Sequence, residues 1–144
     1  MRKCILLFSI LIFTISYLSC QTSGKDEVPS EVKASFKAKY PGENDPDWEK
    51  DKNGNFESSF KIDGKHYRAD YSPEGVWIET ERSIKKKELP EIIQQLLKTD
   101  YDAFSVVEVE EVQHHSKGLF YDVELKKDGE KHDVEFLKNG QVIN

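Results

Sequence analysis

The sequence predicts an α+β fold. It reads as two tandem helix-plus-antiparallel-sheet repeats, each a helix and then three or four strands, forming one domain with the helices on one sheet face. Three observations carry the prediction. The chain repeats itself: Val28-Pro29, Val32, Phe36 and Tyr40 recur as Leu89-Pro90, Ile93, Leu97 and Tyr101, each pair 61 positions apart. Farther on, Asp63-Gly64 matches Asp128-Gly129, Tyr71 matches Phe136 and Gly75 matches Gly140, each 65 apart, so the second copy has gained four residues in between. The apolar spacing 32, 36, 40 is a helical stripe, and each Asp-Gly pair sits between two alternating runs, the pattern of a hairpin with a two-residue turn.

At the N-terminus, Arg2 and Lys3 precede an apolar run from Cys4 to Leu18, broken only by Ser9, Thr14 and Ser16. The run is short for a membrane span and suits the apolar core of a signal peptide. It ends in Tyr17-Leu18-Ser19-Cys20, which resembles a bacterial lipobox: Ser19 fits the small residue before the cysteine, and Tyr17 departs from the usual leucine. Residues 1–19 are thus expected to be a lipoprotein signal peptide and Cys20 the lipidated first residue of the mature chain, with an ordinary signal peptide as the alternative. Residues 20–27 read as a flexible polar tether. Lys25-Asp26-Glu27 resembles the acidic export signal of some surface lipoproteins, but a charged linker is preferred. The expected location is the bacterial envelope, periplasmic or cell-surface, reached by secretion across the inner membrane and held by the lipid anchor alone.

Cys4 lies in the leader, so no disulfide framework, thiolate metal site or cysteine nucleophile is expected beyond it. The chain holds 21 basic and 27 acidic residues; removing Arg2 and Lys3 with the leader leaves 19 against 27, a net of −8. That balance argues against nucleic acid and against electrostatic docking on an anionic membrane. The remaining length suits one domain, divided by the repeat into residues 28–84 and 85–144, each near the lower limit for independent stability.

In the first unit, Pro29 opens a helix along Val32, Phe36 and Tyr40, and Pro41-Gly42 ends it. Strands are expected at 47–50, 55–62, 65–72 and 76–81, the last after the turn Ser72-Pro73-Glu74-Gly75. In the second unit, Pro90 opens a helix lined by Ile92, Ile93, Leu96, Leu97 and Tyr101. Strands follow at 106–112, 119–127, 130–137 and 141–143. The Val/Leu-Pro helix start, the closing tyrosine, the Asp-Gly hairpin and the glycine before the last strand resemble the PepSY-like family of secreted bacterial proteins over residues 28–143. Those proteins are similar in fold to the beta-lactamase inhibitor protein, itself a tandem of helix-plus-sheet units. The resemblance implies a non-enzymatic binder or inhibitor and brings no catalytic residues with it.

A two-residue turn fixes register, so strand partners can be written down. One face pairs Phe60 with Tyr67, Ser58 with Ala69, Phe56 with Tyr71, Leu125 with His132, Val123 with Val134 and Tyr121 with Phe136; helices must cover it. The other pairs Lys61 with His66, Ser59 with Arg68, Glu57 with Asp70, Lys126 with Lys131, Glu124 with Asp133, Asp122 with Glu135 and Phe120 with Leu137. Three of these oppose carboxylates, which costs roughly 0.2–1 kcal/mol each. Trp77, out of phase with Val76 and Ile78, is expected on this outer face. An aromatic among charges on an open sheet suits a protein-binding surface; a solvated, screened face is the plainer alternative.

Other candidates are weaker. His114-His115 are expected to point apart, and His66 and His132 to lie on opposite faces, so no histidine metal site is expected. The acidic loop of Asp45, Asp47, Asp51, Asn53 and Asn55 lacks the glycine and terminal glutamate order of a calcium loop and reads as a helix-to-strand connection. Lys85-Lys86-Lys87 reads as a solvated linker and Trp48 as a core residue. No nucleophile elbow, phosphate loop or dinucleotide fingerprint occurs. The expected function is a non-enzymatic envelope lipoprotein, without metal or cofactor, that binds or inhibits a protein or peptide through Trp77, Phe120, Glu57, Asp70, Asp122 and Glu135. The alternative is a calcium-binding envelope sensor or buffer using the carboxylates.

Overall fold

The computed structural model describes residues 27–144. The expected signal peptide, Cys20 and all but the last residue of the tether lie outside the described residues. Helix α1 (Ser30–Lys39) starts where the Lys33 amide donates to the Pro29 carbonyl, with Glu31 in its first turn and Lys37 and Lys39 in its last, as the helix dipole favours. Four strands follow: β1 (Asp47–Lys50), β2 (Phe56–Ile62), β3 (Lys65–Tyr71) and β4 (Trp77–Ser83). After a 3-10 turn at Lys86–Glu88 comes α2 (Glu91–Thr99), then β5 (Ser105–His114), β6 (Gly118–Lys127) and β7 (Glu130–Phe136). The α+β expectation holds: the seven strands form one antiparallel sheet in chain order. The strand expected at 141–143 is only an isolated bridge between Val142 and Phe136.

Both Asp-Gly turns adopt left-handed backbone, with φ of 51° and 75° at Asp63 and Gly64 and 53° and 91° at Asp128 and Gly129. This geometry matches strand twist and locks the register. Every strand pairing written from the two hairpins is observed, except Phe120 with Leu137, because β7 ends at Phe136.

Directly paired residues share a face, so the registers place both helices on one side of the sheet. Val32 and Phe36 of α1 pack on Phe56, Phe60, Ala69 and Tyr71, with Trp48 half-buried beside them. Leu89 with Ile93 and Leu97 of α2 packs on Val109, Tyr121, Val123, Leu125 and Phe136. Between the two clusters the same face carries Thr80 and Arg82 opposite Gln113 and Glu111, and Arg82 and Glu111 form an ion pair at 3.0 Å.

Two glycines mark where turns touch helices. A Cβ on Gly75 (φ 81°) would lie 2.7 Å from the Glu31 carbonyl oxygen, whereas one on Gly140 (φ 86°) would meet side-chain carbons of Leu96 and Ile92 at 2.9 and 3.0 Å. Backbone cannot yield as a leucine methyl can. Both alanine variants carry left-handed strain of about 1–3 kcal/mol. Gly75→Ala should therefore lower the melting temperature more than Gly140→Ala; equal or reversed losses in thermal unfolding would refute the contact argument.

Candidate functional site: the open sheet face

The sheet face away from both helices is dense in carboxylates. Pairing of β3 with β4 and of β5 with β6 extends the opposed pairs into rows. One runs Glu49, Glu57, Asp70, Glu79; a second runs Glu110, Asp122, Glu135; a third runs Glu108, Glu124, Asp133. Between the first two lies Ser59, Arg68, Glu81. Arg68 is the cation at the centre: its guanidinium donates to Glu81 at 2.6 Å and to Glu110 at 2.8 Å. At the margin, Lys117 meets Glu135 at 2.6 Å and Lys131 meets Glu124 at 2.9 Å. Among the described residues Glu57, Asp70 and Glu79 make no ion pair, and the Asp122 Oδ1 atom is buried without a hydrogen-bond partner.

Crowding of like charges in a half-buried layer raises proton affinity. Burial, then Glu57, Glu81 and Glu79, push the Asp70 carboxyl up to about 7. Burial and Glu81 push Glu110 up to about 7 against the pull of Arg68. Burial with Asp133 and Glu135 pushes Asp122 up to about 6. Burial also raises Glu57 and Glu79. Arg68 is driven the opposite way: burial opposes its charge, but Glu81 and Glu110 hold the guanidinium protonated and raise its pKa.

Of the expected contact residues, Glu57, Asp70, Asp122 and Glu135 come together on this face. Trp77 does not. A bulge lies between Asp70, opposite Glu79, and Tyr71, opposite Trp77, so Ile78 is the extra residue and Trp77 is carried to the helix side. There it packs on the α1 cluster, its indole N–H donates to the Thr80 hydroxyl at 2.9 Å, and the Lys39 ammonium sits 3.6 Å from its ring centroid. The Thr80 hydroxyl in turn bonds that of Tyr40. Phe120 lies on the outer face but is only 3 % exposed, with the Lys117 ammonium 5.1 Å from its ring centroid, so it supports the surface from beneath.

Sequence reasoning missed Glu79, Glu81 and Glu110, because β4 and β5 are joined through α2 rather than by a register-fixing turn. Their alternation with Ile78, Thr80 and Val109 was the available signal. The histidine expectation also needs correction: the His114 and His115 rings lie 4.6 Å apart, because β5 ends at His114 and the chain turns there. His66 and His132 do fall on opposite faces. In the acidic loop, Asp51 Oδ1 accepts the amides of Asn53 and Asn55 at 2.8 Å, which folds the connection. Among the described residues no three metal-ligating side chains could hold an ion, so the calcium reading gains no support.

This helix-and-sheet architecture matches a known class. The family model described as "Putative beta-lactamase-inhibitor-like, PepSY-like" matches residues 57–144. The chain belongs to this PepSY-like family. No curated protein matches it. Solved structures share the fold: a DUF2874 family protein from Bacteroides ovatus is 20 % identical with a TM-score of 0.72, covering 83 % of this chain and 86 % of its own. A BLIP-like protein from Bacteroides fragilis is 18 % identical with a TM-score of 0.72, covering 84 % and 86 %. A Bacteroides eggerthii structure described as "putative periplasmic proteins" is 19 % identical with a TM-score of 0.71, covering 82 % and 87 %.

With raised carboxyl pKa values, Asp70, Glu110 and Asp122 bind more protons in the folded chain than in the unfolded chain from about pH 4 to about pH 7, so the stability these groups contribute is fullest at the acid end of that window and is lost as pH rises through it. Asp70→Asn removes one such group. Its melting temperature should exceed that of the parent at about pH 8 and change less between about pH 5 and about pH 8. An unchanged pH slope with a lower melting temperature at the alkaline end would refute the assignment.

Proposed function

We propose that the chain is a non-enzymatic binding or inhibitory module of the bacterial envelope that takes a protein or peptide on its open sheet face. The observation that carries this reading is that, among the described residues, both helices pack on one side of the sheet and neither covers the carboxylate-bearing side. The fold shared with a BLIP-like protein supports it. The contacts we assign are Glu57, Asp70, Asp122 and Glu135, with Phe120 beneath them and Trp77 bracing α1 from the other side. We read the architecture as one unit built twice, residues 28–84 and 85–144, which the element order of helix and four strands, then helix and three strands, supports.

A photo-crosslinking residue placed in the full-length chain at position 57 or 135 should give a defined adduct in the cells that make the protein. The same residue at the exposed helix-side positions 34 or 95 should give none. Adducts from the helix side alone, or from neither side, would overturn the reading.

We also propose that residues 1–19 are a signal peptide, that Cys20 carries the lipid and that residues 20–27 tether the domain. No helix among the described residues is long and apolar enough to cross a membrane. The full-length chain should partition into the detergent phase with the envelope, and Cys20→Ala should release it. Unchanged partitioning of that variant would remove the anchor.

A further inference from the structure

The open face carries more negative charge than its own cations neutralise, and the deficit is localised. Arg68 is committed to Glu81 and Glu110, Lys117 to Glu135 and Lys131 to Glu124, while Lys61 and Lys126 stand at the strand ends, two residues before the Asp-Gly turns. Asp70 lies between Glu57 and Glu79 in one row and makes no ion pair among the described residues. Asp122 lies between Glu110 and Glu135 in another, with one carboxylate oxygen buried and unpartnered. From these observations, and resting on the binding function proposed above, we infer that the partner docks a basic, extended segment across the face, its lysine or arginine side chains meeting Asp70, Glu57 and Glu79 on one side of Arg68 and Asp122 on the other.

Geometry favours a peptide over an ion. Side chains sharing a face along a strand recur about every 7 Å, and those on adjacent strands about every 5 Å, so the carboxylates form a spread grid. A divalent ion needs several oxygens converging at about 2.4 Å, and no three metal-ligating side chains among the described residues provide that. An extended chain presents alternate side chains at the same 7 Å spacing as the grid. Each long basic side chain can reach a separate carboxylate pair. Acidic or nucleic-acid partners are disfavoured by the same charge.

Proton linkage sharpens the test. Asp70 faces Glu57 of β2, Glu79 and Glu81 of β4, Asp51 of the β1–β2 turn and Arg68 of its own strand. Asp122 faces Glu110 of β5, Asp133 and Glu135 of β7 and Glu81 of β4. The acidic neighbours outnumber Arg68, so part of the face holds protons near neutrality. An arriving ammonium or guanidinium displaces them, and basic-peptide affinity must therefore rise with pH.

The probe is a ten-residue peptide alternating lysine or arginine with small residues, titrated calorimetrically into the purified full-length chain in detergent. Binding should tighten about threefold or more from about pH 6 to about pH 8 and release protons, seen as a buffer-dependent heat. It should weaken about tenfold from about 50 to about 300 mM salt. Asp70→Asn with Asp122→Asn should weaken it about tenfold, while Glu31→Gln with Glu91→Gln on the helices, which removes the same net charge, should not. Melting curves confirm that each variant is folded. Equal binding of a glutamate-containing counterpart, equal loss in both double variants, or displacement of the peptide by calcium at micromolar concentration would overturn the inference. If crosslinks at positions 57 and 135 persist while the basic peptide fails, the binding function stands and this choice of partner chemistry falls.

Discussion

Everything in this molecule depends on the pairing of β4 with β5. The two core clusters are small, and each is built from one helix and two or three strands. Units of that size bury too little apolar surface to offset chain entropy with a wide margin. The β4–β5 ladder runs from Glu79 opposite His114 to Ser83 opposite Glu110 and makes one sheet of the two halves. Where it crosses the helix side, the contact is polar: Thr80 and Arg82 face Gln113 and Glu111, and the Arg82–Glu111 ion pair fills the space between the clusters. The join therefore relies on backbone hydrogen bonds and directional side-chain pairs more than on shared apolar volume. Such contacts specify register while adding modest net stability.

The same pairing creates the site. Arg68 sits on β3, and its two carboxylate partners come from β4 and β5. Without the join, Glu110 would lose its cation and face only the acids Asp122 and Glu108. With it, the guanidinium serves both halves, and Glu57, Asp70 and Asp122 are left as the surplus. The layer relieves that surplus by taking up protons instead of adding lysines, as the raised pKa values of Asp70 and Asp122 show. A sheet selected for stability alone would place a cation opposite Asp70 and gain the pair energy of a half-buried contact. Carboxylates there instead leave Asp70 among acidic neighbours, with its proton affinity raised.

The sequence disclosed what local chemistry controls. The Asp-Gly turns set the register of two hairpins, and the period-two pattern then assigned each residue to a face, including the Glu57–Asp70, Asp122–Glu135 and Glu124–Asp133 oppositions. The helical stripes placed Val32 and Phe36, and Ile93 and Leu97, against the sheet. What escaped depends on contacts with no local signature. Residues 84–104 between β4 and β5 include α2 and no hairpin turn that joins the two strands directly, so the register that adds Glu79, Glu81 and Glu110 could not be counted along the chain. A one-residue bulge moved Trp77 across the sheet, because a single inserted residue inverts alternation from that point. Phe120 kept its assigned face but is only 3 % exposed, with the Lys117 ammonium over its ring.

Alternation makes the open face unavoidable. Every strand must project half its side chains away from the helices, and two helices of ten and nine residues cover one side of seven strands. A lone antiparallel sheet can leave its second face in water at no great cost when that face is polar. The composition here goes beyond polar. Neutral serines and threonines would solvate the surface with no repulsion, yet the central positions carry glutamate and aspartate in adjacent rows. The helices do not carry the chain's net negative charge: α1 holds Glu31 against Lys33, Lys37 and Lys39, and α2 holds Glu91 against Lys98, so the excess acid sits mainly on the strands. Half-burial of the carboxylates at Glu57, Asp70, Glu79 and Asp122 raises the cost of keeping them ionised. The surface accepts that cost at its centre, while Trp77, Thr80 and Tyr40 brace the opposite side through a chain of hydroxyl and indole hydrogen bonds.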